Sequence, residues 1–407
     1  MKLRPVIAFV YNSSQDPLFK GNLLLLLEHV ARQQADLRLH LITYEQPEYA
    51  LSAEAEARQR AAWAAEGIEW HALRYHSGGR LLLFKKAYDL TVGLLLCLRL
   101  RLAGSRGILG LGTVAGSFAF FIAKLLGMKY YGYQFEPHSE FMRDCRIWSA
   151  GSLAYRGLHL MEQRTAQGAD LLSTGTQHML ARLAAEHSPA RAYLLPSCVD
   201  ENRFQFTAAG RAAVRARYGL PTETPVLLYL GKFGGIYYDD EIGQFFAALL
   251  AQHPDWHLLV ATPDPPGRVR AGLLRAGLPE ASFTLTRSPY EEVPAYISAA
   301  DFGLVAVPPL PSQRFRSPIK VGEYLCCGLP YLTCRGVSDD DRVAEEYGVG
   351  VVVSEYSTAE AVRVAPLIAG FLAEAREPLR ARCRRAGVAY RGLSQYLPVA
   401  NEIFAQL

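Results

Sequence analysis

Short apolar runs alternate with helically spaced stretches along the chain, and they do so in two successive series. Val6 to Tyr11, Leu37 to Thr43, Arg106 to Leu111, Lys129 to Phe135 and Asp170 to Thr174 read as strands separated by helices. Such alternation predicts a parallel α/β sheet. The pattern pauses at the Leu-Leu-Pro-Ser-Cys-Val-Asp stretch, 194–200, then restarts with Pro225 to Gly231, Trp256 to Ala261, Phe283 to Thr286, Phe302 to Val307, Tyr331 to Thr333 and Val349 to Val353. A chain of 407 residues exceeds what one hydrophobic core usually organises. The expectation is two Rossmann-like α/β domains, 1–200 and 201–389, with 390–407 as a closing helix whose partner domain the sequence does not reveal.

Several classes are set aside by composition. A net charge of +4 without a basic run interleaved with aromatics argues against a nucleic-acid partner. The seven cysteines are scattered, odd in number and form no CxxC pair, which fits reduced thiols rather than a disulfide scaffold. The start, Met-Lys-Leu-Arg-Pro followed by Val6 to Val10, is too short in its apolar part for a signal peptide and reads as a buried strand. Lys85, Lys86, Asp89, Arg99 and Arg101 interrupt the greasiest stretch, Leu81 to Leu102, so it reads as an amphipathic helix rather than a membrane span. The expected location is cytoplasmic. That helix, with Arg80 and Arg106 nearby, offers a means of touching anionic lipid at the inner face of the membrane, although a buried helix with a basic solvent face is the simpler reading.

Two segments of the C-terminal half carry chemistry. Ser317 to Pro330 predicts a helix over about 320–327, capped by Ser317, admitted by Pro318 in its first turn and stopped by Gly328 in the left-handed region. Its N-terminus faces the carboxyl ends of the strands, where α/β sheets bind ligands. The helix dipole and the Lys320 ammonium suit a diphosphate, and Glu323 one turn later can accept hydrogen bonds from ribose hydroxyls. The second segment, Tyr229 to Glu241, runs from a strand through Gly231, Lys232, Gly234, Gly235 and Tyr237 into a helix. Glycines there would let backbone amides approach phosphate oxygens, with Lys232 adding a mobile charge. Alone, either segment reads as an ordinary capped helix or turn; together they describe a nucleotide-diphosphate site.

The pair resembles the donor-binding domain of GT-B glycosyltransferases, in particular the retaining family four that builds polysaccharides and cell-surface glycans. Gly231-Lys232 is similar to that family's Gly-Arg pair, and Ser317 to Pro330 to its Ser-Pro-x-Lys-x-x-Glu-Tyr-x-x-Cys/Ala-Gly-x-Pro pattern. Leu195 to Asp200 resembles its interdomain segment, and Ala169-Asp170 its helix-to-strand junction, with Glu162 on the preceding helix. The resemblance implies two facing Rossmann-like domains with a central cleft. It also implies Lys232 and Lys320 on the donor diphosphate, Glu323 on the ribose, and no metal or cofactor beyond a UDP- or GDP-sugar co-substrate. Two positions depart from the pattern: Phe315 stands where the first glutamate of the Glu-x7-Glu pair is expected, and Tyr237 where a lysine is common.

In the N-terminal half, Glu136-Pro137-His138-Ser139-Glu140 follows a strand, and some cell-surface glycosyltransferases carry a similar stretch. His138 and Glu136 are the candidate catalytic residues, since an imidazole and a carboxylate can bind and orient an acceptor hydroxyl; a plain turn and cap is the competing reading. Lys20 and Gly21, in the loop after the first strand, are candidate acceptor contacts. Gly110-Leu111-Gly112-Thr113-Val114-Ala115 mimics a dinucleotide fingerprint but belongs to an inner strand. Asp339-Asp340-Asp341 mimics a metal-binding Asp-x-Asp and reads instead as a solvated acidic loop.

The reaction so implied transfers a sugar from a nucleoside diphosphate to a glycan or lipid-linked hydroxyl, with retention by front-face attack. The alternatives are a nucleotide-sugar epimerase of the same fold, which needs no acceptor, and a non-catalytic nucleotide-sugar-binding subunit.

Overall fold

In a computed structural model, residues 3–16, 19–76 and 82–407 are described. The chain divides into two compact units: Met1–Pro196 with Tyr396–Leu407, and Ser197–Gln395.

Unit 1 carries seven parallel strands: β1 (Arg4–Phe9), β2 (Leu37–Glu45), β3 (Ile68–Arg74), β4 (Gly107–Leu111), β5 (Lys129–Tyr133), β6 (Leu171–Thr174) and β7 (Arg191–Leu194). Their order is β3-β2-β1-β4-β5-β6-β7. Val6 to Val10 are fully buried, as expected of a parallel strand covered on both faces. The two edge strands, β3 and β7, lie outside the apolar runs of the sequence. β3 is Ile-Glu-Trp-His-Ala-Leu-Arg, and β7 is four residues of which none is fully buried. Edge strands bury less and lose the continuous apolar signal.

Gly110 explains part of the dinucleotide look-alike. A Cβ there would sit 2.6 Å from Gly116 Cα, so the two glycines let the helix Gly112–Leu126 lie close on β4. β4 sits inside the sheet between β1 and β5. The closing helix Leu393–Ala405 sends its C-terminal part to unit 1: Gln34 donates to the Asn401 carbonyl at 3.1 Å, Arg4 donates to that of Phe404, and Arg191 pairs with Glu402.

Unit 2 carries β8 (Val226–Leu230), β9 (His257–Ala261), β10 (Phe283–Thr286), β11 (Phe302–Leu304), β12 (Tyr331–Cys334) and β13 (Gly350–Val353), all parallel, in the order β10-β9-β8-β11-β12-β13. The chain winds outward from β8 in one direction and from β11 in the other. The carboxyl ends of these two neighbours are therefore the topological switch point, where open α/β sheets take ligands. All seven cysteines are free, and all but Cys145 are buried.

Candidate functional site

Both C-terminal motifs emerge at that switch point. The glycine turn leaves β8, and the helix Ile319–Cys326 follows β11 after a 3-10 turn, Pro311–Phe315. The Tyr238 amide donates to the Ala306 carbonyl at 3.2 Å, joining the glycine turn to the chain just past β11. Gly234 and Gly235 both have φ near +70°, a left-handed pair that a Cβ would strain. The turn is closed by Gly234 N–H to the Tyr238 carbonyl at 3.0 Å and Tyr237 N–H to the Gly234 carbonyl at 3.2 Å. Tyr229 donates its hydroxyl proton to the Lys232 carbonyl, and the Phe233 amide donates to Asp264 at 2.6 Å. The Lys232 side chain is exposed and Tyr237 is half-buried.

The helix Ile319–Cys326 begins one residue earlier than expected and ends, as expected, before Gly328 at φ +77°. Ser317 does not cap it. Its hydroxyl instead accepts from the Ser197 amide at 3.0 Å and from the Arg391 guanidinium, and no side chain caps the first turn at Pro318. Uncapped first-turn amides concentrate partial positive charge at the switch point. The Lys320 ammonium, about one-third exposed, lies 3.1 Å from Glu323, whose side chain is 1% exposed. Ammonium and carboxylate thus face one another across one helical turn at the mouth of the sheet.

Two glycines hold this helix in place. A Cβ on Gly322 would meet Arg391 Cβ and Val199 Cγ2, each at 2.8 Å, and one on Gly387 would meet the Cys326 amide and the Leu325 carbonyl carbon at 2.7 Å. The helix Arg376–Arg391 can therefore approach the backbone of Ile319–Cys326 closely. Arg391 itself is fully buried and pairs with Asp340 at 3.0 Å. Asp340 also accepts from the Tyr390 hydroxyl at 2.8 Å. This corrects the expectation of a solvated loop at 339–341, since Asp339 and Asp340 are buried. Burial pushes the Asp340 carboxyl up to about 6 against the opposing pull of Arg391.

Tyr290, which the sequence reading did not single out, stands on the turn after β10. Arg203 lies 4.0 Å over its ring and donates to its carbonyl at 2.8 Å. Burial first, then the Glu323 charge, push the Tyr290 hydroxyl up to about 12. Nothing local in the sequence connects positions 203, 290 and 323. Phe315 ends the 3-10 turn ahead of the helix, and the adjoining Gln313 carbonyl accepts from the Ser338 amide at 3.1 Å.

In unit 1 the other candidates gather at the carboxyl edge of its sheet. β5 stops at Tyr133, two residues earlier than expected, because Gln134 turns the chain with φ +51°. His138 opens a short helix, with its Nδ1 3.9 Å from Glu136 Oε1; both side chains are partly exposed. The Glu136 carbonyl accepts from Thr113 at 2.6 Å and from the His138 amide at 2.9 Å, which fixes the turn. Ser139 binds Glu162 through both its amide, at 2.8 Å, and its hydroxyl. Burial pushes the Glu162 carboxyl up to about 7, opposed by those hydrogen bonds and by His138. Gly21 is buried in a π-helical turn, Phe19–Leu23, and Lys20 is exposed beside Gln15. Tyr133 donates to Asn22 at 2.6 Å, which sets this turn beside the end of β5.

A second histidine–carboxylate pair, with no motif in the sequence to mark it, lies at this edge. His76 Nδ1 lies 2.5 Å from Asp89, whose carboxylate is 1% exposed and also accepts from Tyr11 at 2.8 Å. The two residues are 13 apart and meet where the first turns of the helix Leu82–Leu102 lie beside the residues just past β3, with Lys86 donating to the His76 carbonyl at 3.0 Å. Arg80 and Leu81 lie outside the described residues.

No protein-family model matches the chain, and no curated protein matches it in sequence. Solved structures do share its fold. Anabaena HepE, solved in complex with UDP-glucose, is 12% identical with a TM-score of 0.71 over 99% of this chain and 100% of its own. Sucrose-phosphate synthase from Thermosynechococcus elongatus is 15% identical with a TM-score of 0.70, over 99% and 98%. WaaG, a glycosyltransferase involved in lipopolysaccharide biosynthesis, is 16% identical with a TM-score of 0.65, over 98% and 99%. The expected GT-B class of two parallel-sheet Rossmann-like units is thus the fold observed.

Proposed function

We propose that the chain is a glycosyltransferase that takes a sugar from a nucleoside-diphosphate sugar. The observation that carries this reading is the convergence of the Gly231–Tyr238 turn with the uncapped start of the helix bearing Lys320 and Glu323. HepE, of the same fold, holds UDP-glucose, which supports a nucleotide-sugar ligand here. Lys232 and Lys320, with the first-turn amides and those of Gly234 and Gly235, would bind the diphosphate and stabilise the charge that grows as it leaves. Ser317 would act from beneath, anchoring the chain that enters the helix. Glu323, already facing Lys320, would accept the ribose hydroxyls. Tyr237 would wall the glycine turn.

On unit 1, His138 and Glu136 would bind and orient the acceptor hydroxyl, with Lys20 and Gly21 lining the acceptor side. The reaction is read as metal-independent hexosyl transfer with retention, the departing phosphate taking the acceptor proton. The acceptor is read as a glycan or lipid-linked hydroxyl. Among the described residues no helix is long and apolar enough to cross a membrane. The helix Leu82–Leu102 nevertheless exposes Phe84, Tyr88, Leu95, Leu98 and Leu102, at helical spacing along one side. An exposed apolar stripe with Lys85, Arg99 and Arg101 on the same helix supports peripheral contact with an anionic inner leaflet, rather than a buried helix with a basic face.

The test is nucleotide release from a panel of UDP- and GDP-sugars with a membrane extract as acceptor. Acceptor-dependent release from one donor, lost in Lys320→Ala, is the expected result. Acceptor-independent epimerisation of the donor, or binding with no turnover under any acceptor, would overturn it.

A further inference from the structure

The structure assigns a divalent transition-metal site to His40, Glu69 and His71, on one face of the β2–β3 edge of unit 1 and independent of the proposed reaction. His40 pairs with Glu69 and Ile42 with His71 in the parallel ladder, and residues 69 and 71 point to the same side. His40 Nδ1 and His71 Nε2 lie 3.2 Å apart. The Glu69 carboxylate turns one oxygen to each ring, at 3.6 Å from His40 Nδ1 and 3.6 Å from His71 Nε2. A tetrahedral zinc with bonds of about 2.0–2.1 Å sets its ligand atoms roughly 3.3 Å apart. The two nitrogens already meet that spacing, each carboxylate oxygen is a few tenths of an ångström beyond it from the ring it faces, and one ligand atom from each of the three residues lies within 4.8 Å of the others.

The chemistry of the donors agrees. Both imidazoles are held below their ordinary value, chiefly by burial, which favours the neutral form that binds metal. Burial raises the Glu69 carboxyl, but the Arg38 hydrogen bond and the two histidines outweigh it and hold the group below its ordinary value. The facing cations are accounted for. Arg38 binds only one Glu69 oxygen, at 3.1 Å, and Arg60 is engaged with Glu56 and the Trp70 carbonyl. Arg99 is exposed on the helix Leu82–Leu102. Two imidazoles and one carboxylate are the ligand set of borderline first-row ions such as Zn²⁺, with water completing the shell. Bound there, the ion would clamp the edge strand β3 to β2.

The test uses untagged full-length protein stripped with chelator, titrated with ZnCl₂ by calorimetry and with Co²⁺ by visible absorption. The expected result is one Zn²⁺ per chain, a higher Tm, and a Co²⁺ spectrum lacking thiolate charge-transfer bands, which separates this site from the cysteines. His71→Asn should abolish binding. Glu69→Gln, at a side chain 43% exposed and so safe for folding, should weaken it about tenfold or more. No binding by the wild type would overturn the assignment, as would binding unchanged in both variants.

Discussion

Replacing Arg391 by Met should unfold unit 2 far more readily than its position in a C-terminal helix would suggest. The guanidinium is fully buried and donates to Ser317, to Ser338 at 3.3 Å, to Asp340 at 3.0 Å and to the Tyr390 hydroxyl at 2.9 Å. Met has a similar length but no donors, so Asp340 would keep only Tyr390 and the hydroxyls of Ser317 and Ser338 would lose a partner. Removing one member of a buried pair costs about 3–5 kcal/mol, because the other is left uncompensated. For a unit of this size each kcal/mol lowers Tm by about 2–4 °C, so the expected fall is on the order of 10 °C. The double variant Arg391→Met/Asp340→Leu removes both charges and should recover at least half of the loss. Thermal unfolding of the three proteins, followed by circular dichroism, decides the matter. A fall below about 2 °C in the single variant, or no recovery in the double, would refute the view that this pair anchors the donor helix.

Glu162 makes unit 1 pH-dependent. Its carboxyl sits at about 7 in the fold against an ordinary 4.5, so its favourable contribution is complete below 4.5 and is lost as pH rises through 7. That gap corresponds to about 3 kcal/mol, and Glu162→Gln should flatten urea-unfolding stability between pH 5 and 8; an unchanged slope would remove the carboxyl as its source. Gly387→Ala should cost about 1–3 kcal/mol despite the better helix propensity, because its Cβ would meet backbone at 2.7 Å; an unchanged Tm would show that the helices can separate freely. His138→Ala should lower turnover by about 100-fold while leaving nucleotide-sugar affinity unchanged. If His76→Ala does so instead, the acceptor-binding role belongs to the His76–Asp89 pair.

The inner strands were legible because they are uninterrupted apolar runs, as in Val-Leu-Leu-Tyr-Leu of β8. β3 was not, because an edge strand alternates and carries Glu69 and His71 on an open face. The donor helix was legible from Pro318, Lys320, Glu323 and Gly328, all within a dozen residues and obeying local rules. What supports it was not. Ser317 reads as a cap because serine commonly is one, yet a guanidinium 74 residues further on takes its oxygen. The triple aspartate reads as solvated for the same reason, since the arginine that pairs with Asp340 lies 51 residues away. Local chemistry is written in local sequence; partners that meet only through tertiary packing, such as Tyr290 and Arg203, leave no spacing to read.

The central claim is that Lys320 and Glu323 bind a nucleoside-diphosphate sugar, and calorimetric titration with UDP- and GDP-sugars tests it directly. Wild-type protein should bind at least one. Lys320→Ala, which removes a charge-assisted contact and leaves Glu323 buried without its partner, should bind about 10- to 100-fold more weakly. Glu323→Gln should show a smaller loss. Binding of equal strength in wild type and Lys320→Ala, or no binding of any nucleotide sugar by the folded wild type, would contradict the account.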